Sequence, residues 1–144
     1  LSGVVETGEQ LLRTRQNIRP STVGEPNAVL LCIVAWFVPG AGHLWLHRTR
    51  NGVILFTALS LMFAIGLVLG GRIFPFEPSQ PLVALASIAD MGIGAAYVIA
   101  RLAELGFGRV AISTYEYGNT FLITSGLLNF LVMIDVYDIA MGRK

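Results

Sequence analysis

Long apolar runs separated by short polar breaks dominate this chain. Four runs stand out: residues 27–46 (NAVLLCIVAWFVPGAGHLWL), 53–71 (VILFTALSLMFAIGLVLGG), 81–100 (PLVALASIADMGIGAAYVIA) and 120–140 (TFLITSGLLNFLVMIDVYDIA). A helix needs about 20 apolar residues to cross the roughly 30 Å of bilayer hydrocarbon, and each run approaches that length. None alternates with period two, and in lipid only helices and closed barrels satisfy their own backbone groups. The pattern therefore predicts an all-α integral membrane bundle of four helices. The first run is interrupted by Pro39, Gly40 and Gly42. It is expected either to kink at Pro39 or to run as a short helix that re-enters at that turn.

The segments between the runs are short. Residues 1–26 read as a polar N-terminal arm without an apolar signal sequence, in which VETGEQLLRTRQ is expected to form a brief interfacial helix; 27–144 is the transmembrane domain. GRIFPFEPSQP (71–81) holds three prolines and reads as a rigid turn. RLAELGFGRVAISTYEYGN (101–119) is a mixed connector suited to the membrane surface, and its Tyr115 and Tyr117, with Trp45, fit the headgroup belt. No long internal repeat or low-complexity tract is visible.

Composition supports this picture. Of 144 residues, 54% are hydrophobic and 13% charged, against roughly 25% charged in soluble domains. The net charge of +1 and the lack of a basic stripe with interleaved aromatics argue against nucleic-acid binding. The single cysteine, Cys32, cannot form an internal disulfide. With four spans, one side carries Arg13, Arg15, Arg19, Arg72, Arg143 and Lys144 and the other Arg48, Arg50, Arg101 and Arg109. Six against four predicts both termini in the cytoplasm.

Few polar residues interrupt the runs, and each is a candidate for a role. On one continuous helix, Val83, Ala86, Ser87, Asp90, Gly94, Tyr97 and Arg101 share a small, polar face. Asp90 on that face suits a relay of protons or ions, or a hydrogen bond to a neighbouring helix. In the fourth run, Tyr117, Thr120, Thr124, Asp135 and Asp138 form one polar line, and Asn129 faces the opposite way. Asp135 and Asp138, three apart, could bind a cation or act as acid and base, although hard cations usually recruit more oxygen ligands. His43 and His47 have the i, i+4 spacing of two imidazoles on one helical face. Structural zinc wants four ligands, of which only these two are at hand. Axial ligation of haem or chlorophyll needs one, so either histidine could serve it; otherwise the pair meets lipid headgroups. No metal site is predicted.

Small residues point to helix contacts. Gly66 and Gly70 form GxxxG, with Gly52, Leu59 and Phe63 on about the same face; Gly92 and Ala96 repeat the spacing. With Asn129, these are the expected partner-contact positions. HExxH, GxSxG, a P-loop and CxxC are all absent. Gly106, Gly108 and Ala111 match GxGxxA only formally, because no strand precedes them.

The run WFVPGAGHLWLHRTRNGVILF resembles the hairpin of small bacterial proteins with a two-transmembrane-helix domain. Pro39, Gly40, Gly42, His43, Leu44, Trp45, Arg48 and Gly52 carry the likeness, over roughly residues 28–70. The acidic residue of that family's turn has no match here. The tail YGNTFLITSGLLNFLVMIDVYDIAMGRK resembles the end of an uncharacterised bacterial membrane family with the same front hairpin. The resemblance implies a small multi-pass protein of the bacterial inner membrane and no assigned activity.

Short loops leave little protein outside the bilayer, so no enzyme is expected. The expected function is a non-catalytic accessory subunit packed among other membrane protein subunits, of respiratory or photosynthetic type. Two alternatives stand beside it: a small proton- or ion-conducting transporter using Asp90 with Asp135 or Asp138, and a haem- or pigment-binding subunit using His43 or His47.

Overall fold

The structure, a computed structural model, describes residues 2–17 and 25–143. The side chains of Arg13, Arg15 and Arg19, and the whole of Lys144, lie outside the described residues. Among the described residues there are seven helices and no strand beyond one isolated bridge between Arg72 and Phe107. They are α1 (Ser2–Asn17), α2 (Glu25–Phe37), α3 (Ala41–Trp45), α4 (Thr49–Val68), α5 (Pro81–Met91), α6 (Ala95–Leu102) and α7 (Tyr115–Ala140).

Two of these helices, α4 and α7, are long and apolar enough to cross a membrane; α5 and α6 would make a third span only if taken as one bent helix. The sequence predicts four, and the physical reason for the difference lies at two breaks. α2 stops where Pro39 disfavours helical geometry in the residue before it. Gly40 then turns the chain with φ of 80°, and α3 returns along α2. Gly42 lies against Ala35 and Val136, and Leu46 packs on the same cluster as Ala28, Leu31 and Ala140. The first apolar run is thus a descending helix and a short returning one, the second of the two geometries expected at Pro39.

The third run breaks in the same way. Pro81 occupies the first turn of α5, where its missing N–H costs nothing. After Met91 the chain turns at Gly92-Ile93-Gly94, and α6 leaves at 108° to α5. Gly94 has φ of 63° and sits so close to the Trp36 carbonyl that any Cβ would overlap it. Only glycine fits there.

α4 and α7 pack antiparallel: Gly66 meets Gly118 and Leu122 near one end, while Leu55 and Asp135 line one groove toward the other. The core follows one stripe of α7. Gly118, Leu122, Ser125, Gly126, Asn129, Val132, Val136 and Ala140 are all buried, at the i, i+3 and i+4 spacing of one helix face. The upper part packs on Leu59, Phe63, Ile73, Ile93 and Ala100, the lower part on Ala28, Leu31 and Ala35.

Four helices end alike; after α7, the Arg143 amide donates to the Asp138 carbonyl at 2.9 Å with Gly142 at φ 69°. After α4, the amide of Gly71 donates to the Gly66 carbonyl at 3.0 Å with Gly70 at φ 84°. After α3, Arg48 donates to His43 at 2.9 Å with His47 at φ 59°; after α6, Leu105 donates to Ala100 at 2.8 Å with Glu104 at φ 54°. This six-to-one closure with a left-handed residue satisfies carbonyls that a helix end leaves bare. At His47 and Glu104 an L-residue takes the position glycine usually fills.

Candidate functional site

The two reversals meet at the middle of α7. Asn129 is fully buried, and its amide Nδ2 donates to the Gly92 carbonyl at 2.8 Å, to Trp36 at 3.1 Å and, more weakly, to Ala35 at 3.5 Å. The Trp36 indole Nε1 donates in turn to the Met91 carbonyl at 3.1 Å. One side chain therefore ties the carbonyl ends of α2 and α5, which have no further helix turn to satisfy them. The α5 end also approaches α7 very closely. A Cβ on Gly126 would overlap the Ala89 carbonyl, and one on Gly92 would lie 2.5 Å from the Gly126 oxygen.

A second pair of polar groups pins the segment that leads into α5. The Arg72 amide donates to Asn119 Oδ1 at 2.7 Å, and the Phe74 amide to Asp90 Oδ2 at 3.1 Å. Asp90 is fully buried, as the sequence suggests for an inward face. The face itself differs: the break after Met91 removes Tyr97 and Arg101 from it, because they belong to α6. Asp90 Oδ1, Ser87 Oγ, Asn129 Oδ1 and His43 Nδ1 are buried without a hydrogen-bond partner among the described residues.

The histidines separate for a backbone reason. His43 is buried in α3, whereas His47 lies beyond its end, exposed and left-handed. The i, i+4 rule needs a continuous helix, and α3 stops at Trp45. His43 Nε2 lies 3.0 Å from Asp135 Oδ2, joining α3 to α7. Asp138 turns instead to Arg143, with 3.4 Å between Oδ1 and Nη1. The two carboxylates thus engage different partners. Among the described residues, no three His, Cys, Asp or Glu side chains are grouped as a metal site would need. His43 is 1% exposed, so a porphyrin could reach it only if α3 moved away from α7.

The small-residue positions divide likewise. Gly66 and Gly92 touch α7, and Ala96 packs partly buried beside the upper core. Gly70 closes the end of α4 instead of facing a helix. The polar line of α7 divides, with Tyr117 and Thr120 exposed and Thr124, Asp135 and Asp138 half-buried, and the face of Asn129 is the buried one. Gly118, Gly126, Trp36 and Asn119 are contacts that sequence reasoning missed. The signal for the α7 members was present, because Gly118, Leu122, Gly126 and Asn129 repeat at helical spacing.

No curated protein and no solved structure matches this chain. One family model does, over residues 30–144, which takes in both reversals and both long helices. The chain therefore belongs to that family, the family of unknown function DUF6677.

Proposed function

We propose that this DUF6677 chain is a non-catalytic subunit of a larger membrane protein complex in the bacterial inner membrane, its front hairpin related to the two-transmembrane-helix domain. The observation that carries this reading is how the buried polar side chains are used. Asn129, Asn119 and Asp90 each bond the backbone at a reversal or at the segment leading into one, and His43 and Asp135 bond each other. These contacts build shape. Meanwhile α4 and α7 turn Val53, Ile54, Leu61, Val68, Leu127, Leu131 and Ile134 outward, a surface suited to lipid and to neighbouring subunits. The conducting alternative has less support. About 13 Å of helix separate Gly126, where α5 packs, from Asp135, so Asp90 and Asp135 sit at different depths.

In this arrangement α4 and α7 cross the membrane, and the α2–α3 and α5–α6 hairpins enter from opposite faces and meet at Asn129. The charge count then changes. Arg48, Arg50 and Arg143 lie at one end; Lys144 and the arm's Arg13, Arg15 and Arg19 are counted with them from their place in the sequence alone. Arg72, Arg101 and Arg109 lie at the other. Seven against three supports the reading that both termini face the cytoplasm, by a wider margin than the four-span count. Native mass spectrometry after mild extraction tests the assembly, with the chain expected inside a larger particle. A stable, monodisperse monomer would overturn it.

A further inference from the structure

We propose that the loop end of this protein, opposite the end where α4 begins and α7 finishes, carries a binding site for a phosphate-bearing anion. The proposal is independent of the assembly reading above. After α4, residues 70–75 run beside residues 104–109. The Ile73 amide donates to the Gly106 carbonyl and the Arg109 amide to the Gly70 carbonyl, both at 2.9 Å. This strip separates two cavities of about 320 Å³ each. Arg72 and Arg101 line the first, Arg109 lines the second, and Glu104 borders both.

Two arginines from different parts of the chain, Arg72 at the exit of α4 and Arg101 at the end of α6, therefore face one cavity, and Arg109 of the connector before α7 lines the neighbouring one. Among the described residues none of the three forms an ion pair with a carboxylate. Arg72 instead lies with its guanidinium carbon 6.0 Å from the centre of the Phe74 ring. Against one Glu104 the first cavity holds a local surplus of one positive charge. Guanidinium groups are planar forks suited to phosphate oxygens. Backbone geometry fixes the walls, since Glu104, Gly106 and Gly108 all take positive φ.

The rim is as telling as the charge. Leu102 is 80% and Phe107 76% exposed, and Leu105 and Val110 are also exposed beside the same strip. Apolar side chains around a cationic cavity fit an amphiphile, with the phosphate between the arginines and acyl chains against the rim. The shared chemistry is a phosphate anion, and its source is either a lipid headgroup or a free phosphate.

Calorimetric titration of the full chain in neutral detergent micelles decides the matter, with inorganic phosphate and dioctanoyl phosphatidylglycerol as separate probes. Binding of the phosphatidylglycerol alone would support the site and name a lipid as its source. Equal binding of inorganic phosphate would support it with a free anion as the source. Each arginine near a membrane surface contributes about five-fold to such affinity. The Arg72→Gln, Arg101→Gln double variant is therefore expected to bind about 25-fold more weakly. Glu104→Gln should bind about five-fold more tightly. The control Arg50→Gln, at the other end of α4, should leave both probes unchanged. Neither probe binding, or a loss in the double variant no greater than in the control, would overturn the proposal. All three arginines are exposed, so the variants should keep the fold, checked by unchanged helical circular dichroism.

Discussion

Replacing Asn129 by leucine keeps the number and branching of the side-chain heavy atoms and removes the amide that joins α2 and α5. Two of its bonds are short, 2.8 Å to Gly92 and 3.1 Å to Trp36; the third, 3.5 Å to Ala35, is at the limit of a hydrogen bond. Interhelical hydrogen bonds in membranes average about 0.6 and reach about 1.7 kcal/mol. The carbonyls left behind are the greater concern. They belong to helix ends and are packed against α7, so neither water nor another turn replaces the lost donor. A buried polar group without a partner costs about 1–3 kcal/mol. Counting only the two short bonds, Asn129→Leu should destabilise the protein by about 2–4 kcal/mol. Reversible unfolding in mixed micelles titrated with denaturing detergent measures this directly. Thr124→Val on the half-buried side of α7 is the control and should stay within about 0.5 kcal/mol. If Asn129→Leu behaved like that control, the joint at mid-helix would not be what holds the two hairpins.

Four other outcomes follow from the same structure. Gly126→Ala should cost about 1–3 kcal/mol in the same unfolding assay, because its methyl group would force the Ala89 backbone away from α7. Glu104→Gly should raise the unfolding midpoint, with a gain of about 1 kcal/mol, since glycine adopts the positive φ at this helix end without strain. A double-mutant cycle of His43→Leu and Asp135→Leu should return a coupling of about 0.5–2 kcal/mol; zero coupling would show the 3.0 Å contact to be energetically silent. In a Cys32→Ser background, Ser79→Cys before α5 and Glu104→Cys after α6 should react with an impermeant maleimide from the same face of the membrane. Arg50→Cys should react from the other. Labelling of Ser79→Cys and Glu104→Cys from opposite faces would mean that α5 and α6 cross as one bent span.

The long elements were legible because their signal is hydropathy summed over many residues. The runs 53–71 and 120–140 correspond to α4 (Thr49–Val68) and α7 (Tyr115–Ala140), displaced by a few residues at their ends. The interruption at Pro39 was legible too, since proline acts on its own neighbours. The break at Gly92-Ile93-Gly94 was not. Those residues fit an apolar span, and their small size was read as helix packing; hydropathy says nothing about a φ of 63° at Gly94. The site suffered from the same blindness. Face assignments for Asp90 with Arg101, and for His43 with His47, assumed unbroken helices, and each pair straddles a break or a helix end. Asn129 was picked out as a contact residue from its position alone. What it contacts, three carbonyls from two distant segments, comes from tertiary structure that one helical projection does not contain.

The joint at Asn129 also bears on the order in which the chain can be made. Its partners Trp36 and Ala35 precede it by 93 and 94 residues, and Asp135 follows His43 by 92. At roughly 5–20 residues per second, the front hairpin leaves the ribosome about 5–20 s before its anchors exist. During that interval its carbonyl ends and His43 lack their eventual neighbours, and α2, at 13 residues, is too short to be held as a spanning segment. The front hairpin must therefore wait at the membrane surface, or beside an insertion factor, until α7 arrives to draw it in. A nascent chain stalled before residue 115 would hold α4 with α3 packed against it and leave α2 without the α7 face it rests on.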